Sequence, residues 1–156
     1  MAPAHSAVFV DLDRTLLRSA SGPILQEALM AEGVLTSGRG VPGDLLYAFY
    51  ERFGETVPFI ALARAAARVM RGKSAEGTRR AGKVATAQLI DLVQPFALEA
   101  LAEHRRAGRR LVLATTTPID LIDALAVALG FDAVVATKYE IVDGLYTGRL
   151  DGGFVW

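Results

Sequence analysis

At 156 residues the chain is long enough for one domain with a sizeable core, and its 17 basic and 17 acidic side chains leave no net field of the kind that draws nucleic acid. The absence of cysteine excludes a disulfide framework and a thiolate metal site, and suits a reducing, cytoplasmic setting. The opening residues 1–7 lack a basic stretch, so no signal peptide is expected, and nowhere is there the run of about 18 apolar residues that a transmembrane segment needs.

The first predicted element sets the terms for the rest. Val8, Phe9 and Val10 read as a buried strand that ends abruptly in Asp11-Leu12-Asp13-Arg14-Thr15-Leu16. Side chains alternate along an extended segment, so Asp11 and Asp13 share one side of the strand exit while Leu12 points away. The carboxyl end of a strand is where open α/β sheets hold ligands. Two close carboxylates repel unless a cation joins them, and a hard, oxygen-only donor set favours Mg²⁺.

A helix is expected from Gly22-Pro23, with Ile24, Leu25, Ala28 and Leu29 at helical spacing and Gly33 closing it. The glycine-rich stretch 36–40 lacks the Lys-Ser/Thr end of a P-loop and reads as a connector. Asp44 caps a further helix carrying Leu45, Leu46, Phe49 and Phe53, which ends near Gly54, and an alanine-rich helix runs from about Pro58 to Arg71. Arg64, Arg68 and Arg71 share one face of it. Lys73, Arg79, Arg80 and Lys83 extend that basic stretch with only Glu76 against it.

From Leu89 the pattern becomes α/β. Pro95 starts a helix with Leu98 and Leu101 inward and Glu99, Glu103 and Arg106 outward, and Gly108 stops it. Residues 110–114 form an apolar run of the kind found in interior parallel strands. It ends in Thr115-Thr116-Thr117-Pro118, with Thr117 expected as N-cap and Pro118 as first residue of a helix carrying Asp120, Ile122, Leu125 and Leu129. Hydroxyls at a strand exit facing a helix N-terminus make a natural anion site. Gly130 ends that helix, Ala133–Ala136 reads as a third strand, and Asp143-Gly144 between Ile141-Val142 and Leu145-Tyr146 is a strong hairpin signal.

The segments 8–17 and 111–118 resemble the first and second motifs of the haloacid dehalogenase superfamily, in the version of its phosphoserine-phosphatase-like subfamily. The resemblance implies a Rossmann-like parallel sheet with helices on both faces, formed by 1–22 and 92–156, and a helical cap inserted at 23–91. It implies a Mg²⁺-dependent phosphatase in which Asp11 attacks phosphorus and forms an aspartyl-phosphate and Asp13 is general acid and base. Thr115 and the Thr116 amide would bind the phosphoryl group, Thr15 is a supporting hydroxyl, and Asp11 and Asp13 would hold the metal. Members of the family continue to a catalytic lysine and a further acidic strand end, so the expectation is a core lacking its C-terminal strands. That would leave the first strand as a hydrophobic edge able to associate. Lys138, Asp143 and Asp151 are the nearest replacements, but surface exposure and turn chemistry account for them. Ala20 stands where phosphoserine phosphatases carry an acidic residue, which argues against a strict phosphoserine enzyme, and the basic insert suits an anionic or lipid-like phosphate ester. Relatives fused to acyltransferases of glycerophospholipid synthesis point the same way. The alternative reading is a non-catalytic interaction module of a larger polypeptide.

Overall fold

A computed structural model describes residues 6–36 and 59–152. Three strands, β1 (Ala7–Asp11), β2 (Arg110–Pro118) and β3 (Ala133–Thr137), form a parallel sheet in the order β1-β2-β3. Among the described residues five helices accompany it: α1 (Gly22–Ala31), α2 (Phe59–Met70), α3 (Ala75–Asp91), α4 (Pro95–Arg106) and α5 (Ile119–Ala128). β4 (Tyr139–Val142) and β5 (Leu145–Leu150) make a separate antiparallel hairpin, and its turn carries Asp143 and Gly144 at φ 50° and 79°, the left-handed pair that the Asp-Gly sequence favours.

The α/β architecture is as expected. In β2 the consecutive residues Leu111, Val112 and Leu113 are all buried, and because neighbours on a strand point to opposite faces, both faces are covered at that strand. Helices α4 and α5 pack on it. β1 borders the sheet on β2 alone, with Val8 and Val10 partly buried against the core and Phe9 66% exposed. The hydrophobic edge predicted for residues 8–10 is therefore present among the described residues.

Two expectations need correction, and one helix was not foreseen. Pro118 is the last residue of β2 and the N-cap of α5, so the strand runs through all three threonines and Thr117 does not cap the helix. The reason is tertiary: Pro118 pairs with Thr137 of β3, which holds the chain extended. In α4 the buried positions are Ala97 and Leu101, whereas Leu98 is exposed, because the contact stripe runs one residue earlier than the hydrophobicity of Leu98 suggests. Residues 75–91 form a continuous helix that periodicity did not mark, since its core-facing positions are Ala75, Gly77, Thr78, Ala81, Gly82, Ala85 and Leu89.

Those small residues have a purpose in α3. A β-carbon on Gly82 would stand 2.6 Å from the carbonyl oxygen of Leu121, so glycine lets α3 cross the first turns of α5 at backbone contact. On its other side α3 packs against α1. Ser74 caps α3 by accepting from the Gly77 amide at 3.1 Å. α2 packs on β5, burying Ala67 and Met70 and leaving Arg64, Arg68 and Arg71 exposed as expected. The remainder of the basic stretch is less solitary than Glu76 alone implied: Arg79 also pairs with Asp120, and Arg80 with Glu32. The expected helix over 44–54 and most of the 36–40 connector lie outside the described residues.

Candidate active site

The strand register builds the site. Asp11 pairs with Ala114, one residue before Thr115, so the carboxylates of the first exit and the hydroxyls of the second come to the same carboxyl-terminal edge of the sheet on adjacent strands. This is the edge at which ligands of open α/β sheets are bound.

At the first exit the chain turns within five residues, Leu12–Leu16, closed by the Leu17 amide donating to the Leu12 carbonyl at 2.9 Å. Arg14 takes the left-handed conformation at φ 60°, and Asp13 stays extended at φ −76°, ψ 127°. Leu12 and Leu16 are fully buried and act as pegs, so Asp11 and Asp13 are left towards solvent, exposed and partly exposed respectively. The Thr15 hydroxyl donates to Asp11 Oδ2 at 3.0 Å, and the Ser21 amide donates to Asp13 Oδ1 at 2.6 Å. Each carboxylate is thus held through one of its oxygens. Gln94, whose side chain donates to the Thr15 carbonyl at 2.9 Å, buttresses the same turn.

The second exit is a bulge. Thr115 pairs with Ala136 and Pro118 with Thr137, leaving Thr116 and Thr117 outside the ladder. The Thr117 amide donates to Thr115 Oγ1 at 3.1 Å, a side-chain turn that closes the bulge on itself. Thr115 is buried and Thr116 exposed. Having accepted that bond, the Thr115 hydroxyl still has its own proton to donate. Lys138 is exposed just past β3, and Asp143 and Asp151 are exposed in turns, in keeping with their plain readings.

Sequence reasoning missed three residues that tie this exit down. Asp120, in the first turn of α5, accepts from Arg79 Nε and from the Tyr146 hydroxyl, each at 2.8 Å. Burial, above all, raises the Tyr146 phenol above its ordinary value near 10, and the same cause pushes Tyr139 up to about 12. No short motif announces such a cluster, because its members come from three separate elements. A shallow groove on α4, lined by Phe96, Glu99, Glu103 and Arg106, involves none of these residues.

The donor chemistry at the first exit fits a hard divalent cation, since Mg²⁺ usually takes one or two carboxylates and keeps several waters. Asp11 and Asp13 are the two available here, and among the described residues no group of three or more acidic, histidine or cysteine side chains converges on one point.

Comparison with known proteins identifies the family. The phosphoserine phosphatase SerB1 of Mycobacterium tuberculosis is 30% identical over 151 residues, covering 94% of this chain and 49% of its own length. This chain thus spans about half the length of the curated relatives it matches. A crystal structure of a protein of unknown function from Bordetella pertussis superimposes with a TM-score of 0.74 at 25% identity, over 97% of this chain and 68% of that one. A phosphoserine phosphatase solved as a phospho-aspartyl intermediate analogue shares the fold, with a TM-score of 0.62 at 17% identity over 95% of this chain and 63% of that one. The profile of haloacid dehalogenase-like hydrolases matches residues 8–156, and the chain belongs to that family.

Proposed function

We propose that the protein is a Mg²⁺-dependent phosphomonoester hydrolase working through an aspartyl-phosphate on Asp11. One observation carries the reading: the parallel register that puts Asp11 beside Ala114 delivers a carboxylate and a hydroxyl-lined bulge to the same edge of the sheet. Family membership and the likeness to a phosphoserine phosphatase support it.

The hydrogen bonds divide the work between the two acids. Thr15 occupies Asp11 Oδ2, which leaves Oδ1 to attack phosphorus; a carboxylate needs no base to do so at neutral pH. Ser21 occupies Asp13 Oδ1, which leaves Oδ2 to carry a proton to the departing alkoxide. In that step an Asp11 O–P bond forms, the ester P–O bond breaks, and the proton of Asp13 goes to the leaving oxygen. In the second step Asp13 takes a proton from water as it attacks phosphorus, phosphate leaves, and Asp11 is regenerated. Thr115 and the Thr116 amide donate to phosphoryl oxygens, where charge builds in both steps. Asp11 and Asp13 would hold Mg²⁺, which when bound would supply charge neutralisation at the phosphoryl group.

The insert 23–91 serves as the cap over this edge, and the exposed Arg64, Arg68 and Arg71 give it a cationic face suited to small, anionic or lipid-like phosphate esters in the cytoplasm. The test is hydrolysis of an aryl phosphate by the wild type and Asp11→Asn with Mg²⁺, and by the wild type with EDTA. Activity confined to the wild type with metal is expected; equal rates in all three would reject the reading.

A second reading, association through β1, rests on the 66% exposure of Phe9 on a bordering strand. Sedimentation of the wild type against Phe9→Lys decides it: a self-associating wild type and a monomeric variant would favour it, and two monomers would dismiss it.

A further inference from the structure

The strongest feature that the proposed chemistry does not use is the cluster on Asp120. Its side chain is only 9% exposed and both carboxylate oxygens are taken, Oδ1 by Arg79 and Oδ2 by Tyr146. Tyr146 has little freedom of its own. It is 1% exposed, its ring stands edge-on to Tyr139 at 5.6 Å between centroids, and its backbone is tied to the corner between α2 and α3. There the Gly72 amide donates to the Tyr146 carbonyl at 2.8 Å and the Tyr146 amide to the Lys73 carbonyl at 3.0 Å. Next to it the Ala75 amide donates to the Gly144 carbonyl, also at 3.0 Å. The hairpin, the corner of the insert and helix α3 are therefore one unit, and beside the backbone contact at Gly82 that unit holds α5 through the Asp120 carboxylate.

What lies upstream of that carboxylate gives the grip its meaning. Thr116 and Thr117 have left the ladder, so the bulge is fixed by its two ends: the Thr115–Ala136 pair on one side, and Pro118 with the first turn of α5 on the other. A stabilising role alone explains the cluster poorly, because Arg79 is 47% exposed and an ion pair in that position contributes little against solvent screening. Two charge-assisted bonds from different directions on one carboxylate chiefly fix geometry.

We propose that Asp120 is a positioning residue: clamped between Arg79 of the insert and Tyr146 of the hairpin, it holds the first turn of α5 and through it the bulge that presents Thr115 and Thr116. The geometry of the phosphoryl-binding strand exit then depends on the docked state of the insert. The consequence for catalysis rests on the phosphatase reading; the consequence for the bulge does not.

The experiment uses Tyr146→Phe, which removes one hydroxyl and keeps the ring, together with Asp120→Asn and the conservative Arg79→Lys. Amide hydrogen exchange is followed residue by residue alongside steady-state hydrolysis of an aryl phosphate. Exchange at Thr117, whose amide is bonded to Thr115 Oγ1, is expected to quicken by roughly 10-fold in Tyr146→Phe and Asp120→Asn, while Leu111 to Leu113 keep their wild-type rates. kcat should fall by about 10-fold or more with KM within about twofold, because a misplaced donor is felt in the transition state. Arg79→Lys, which keeps the charge, should lie between wild type and Asp120→Asn. Unchanged exchange at Thr117, or an equal rise along all of β2, overturns the positioning role. A wild type inactive towards the ester would sink the phosphatase reading alone, and the exchange data would still decide the role of Asp120.

Discussion

The two strand exits that meet at the candidate site are held by different means. The first turns back within five residues, and its acids are bonded by Thr15 and Ser21, four and eight positions away. The second keeps a bulge closed locally by Thr117, but its downstream anchor is supplied by Tyr146 and Arg79, 26 and 41 positions from Asp120. The acids of the first exit are held locally, in a turn that Gln94 buttresses from outside; the second exit is a tertiary construction. A substitution at the first should therefore change chemistry with little effect on the fold, whereas disturbance of the second should spread through the insert and the hairpin.

The sharpest break in that comparison comes from the first exit. Asp11→Asn keeps the shape and an oxygen to accept from Thr15 but removes the attacking charge, so hydrolysis is expected to fall by about 10³-fold or more. Because Asp11 is exposed, stability should change by no more than it does for an ordinary surface substitution, about ±0.5 kcal/mol. A calorimetric scan beside the assay checks both halves, and a large fall in stability would show that the acid at the first exit carries part of the fold.

The second exit breaks in the opposite way. Gly82→Ala puts a β-carbon 2.6 Å from the Leu121 carbonyl oxygen and 3.0 Å from that of Asp120, so α3 must move away from α5. Overpacking of this kind costs about 1–3 kcal/mol, which for a chain of this size lowers the midpoint of thermal unfolding by several degrees. Melting followed by circular dichroism is the measure. A melting point equal to that of the wild type would mean that α3 does not seat on α5 as closely as Gly82 permits.

A smaller effect tests the support of Asp11. Thr15→Val removes the hydroxyl and keeps the branched shape, so Asp11 loses the bond that fixes Oδ2. Loss of one charge-assisted hydrogen bond at an exposed site corresponds to about 1–2 kcal/mol, or roughly a 10-fold fall in kcat. If Thr15→Val and the wild type turn over an aryl phosphate at the same rate, Thr15 is not holding the nucleophile.

The same contrast explains what could be read in advance. The place of Asp11 was legible because three β-formers ending in an acid mark the strand and its exit, whereas Asp13 and Thr15 lie in the turn Leu12–Leu16, where strand alternation no longer applies. The hairpin was legible because Asp143-Gly144 suits the left-handed turn, and β3 because Ala133–Ala136 is a short apolar run. Helix α3 was not. Its buried face consists of alanine, glycine and threonine, which give no apolar stripe and make sense only against the backbone of α5. The extension of β2 through Thr117 was misread for a related reason: Ser/Thr before Pro is a good local cap signal, and pairing of Pro118 with Thr137 outweighs it. Asp120 was legible as an acidic residue in a first helical turn, but its partners could not be, since nothing in 75–83 or 139–150 singles out Arg79 or Tyr146 before the fold brings them together.

Alkaline pH probes the tertiary exit with the smallest perturbation. Burial raises the phenols of Tyr146 and Tyr139, the latter to about 12, while in the unfolded chain both titrate near 10. Between those values the unfolded chain has released protons that the folded chain still holds, so the unfolded state binds fewer protons and stability falls as pH rises. The contribution is fully present below pH about 10 and is lost progressively above it. Tyr146→Phe has no phenol at this position to deprotonate, so denaturant midpoints measured from about pH 9 to 11.5 should decline less steeply for this variant than for the wild type. At neutral pH, Tyr146→Phe should be the less stable of the two, since it lacks the bond to Asp120. The two curves should therefore converge as pH rises; parallel decline would mean that Tyr146 titrates in the folded protein as freely as in the unfolded chain, and that the hairpin does not bury it against α5.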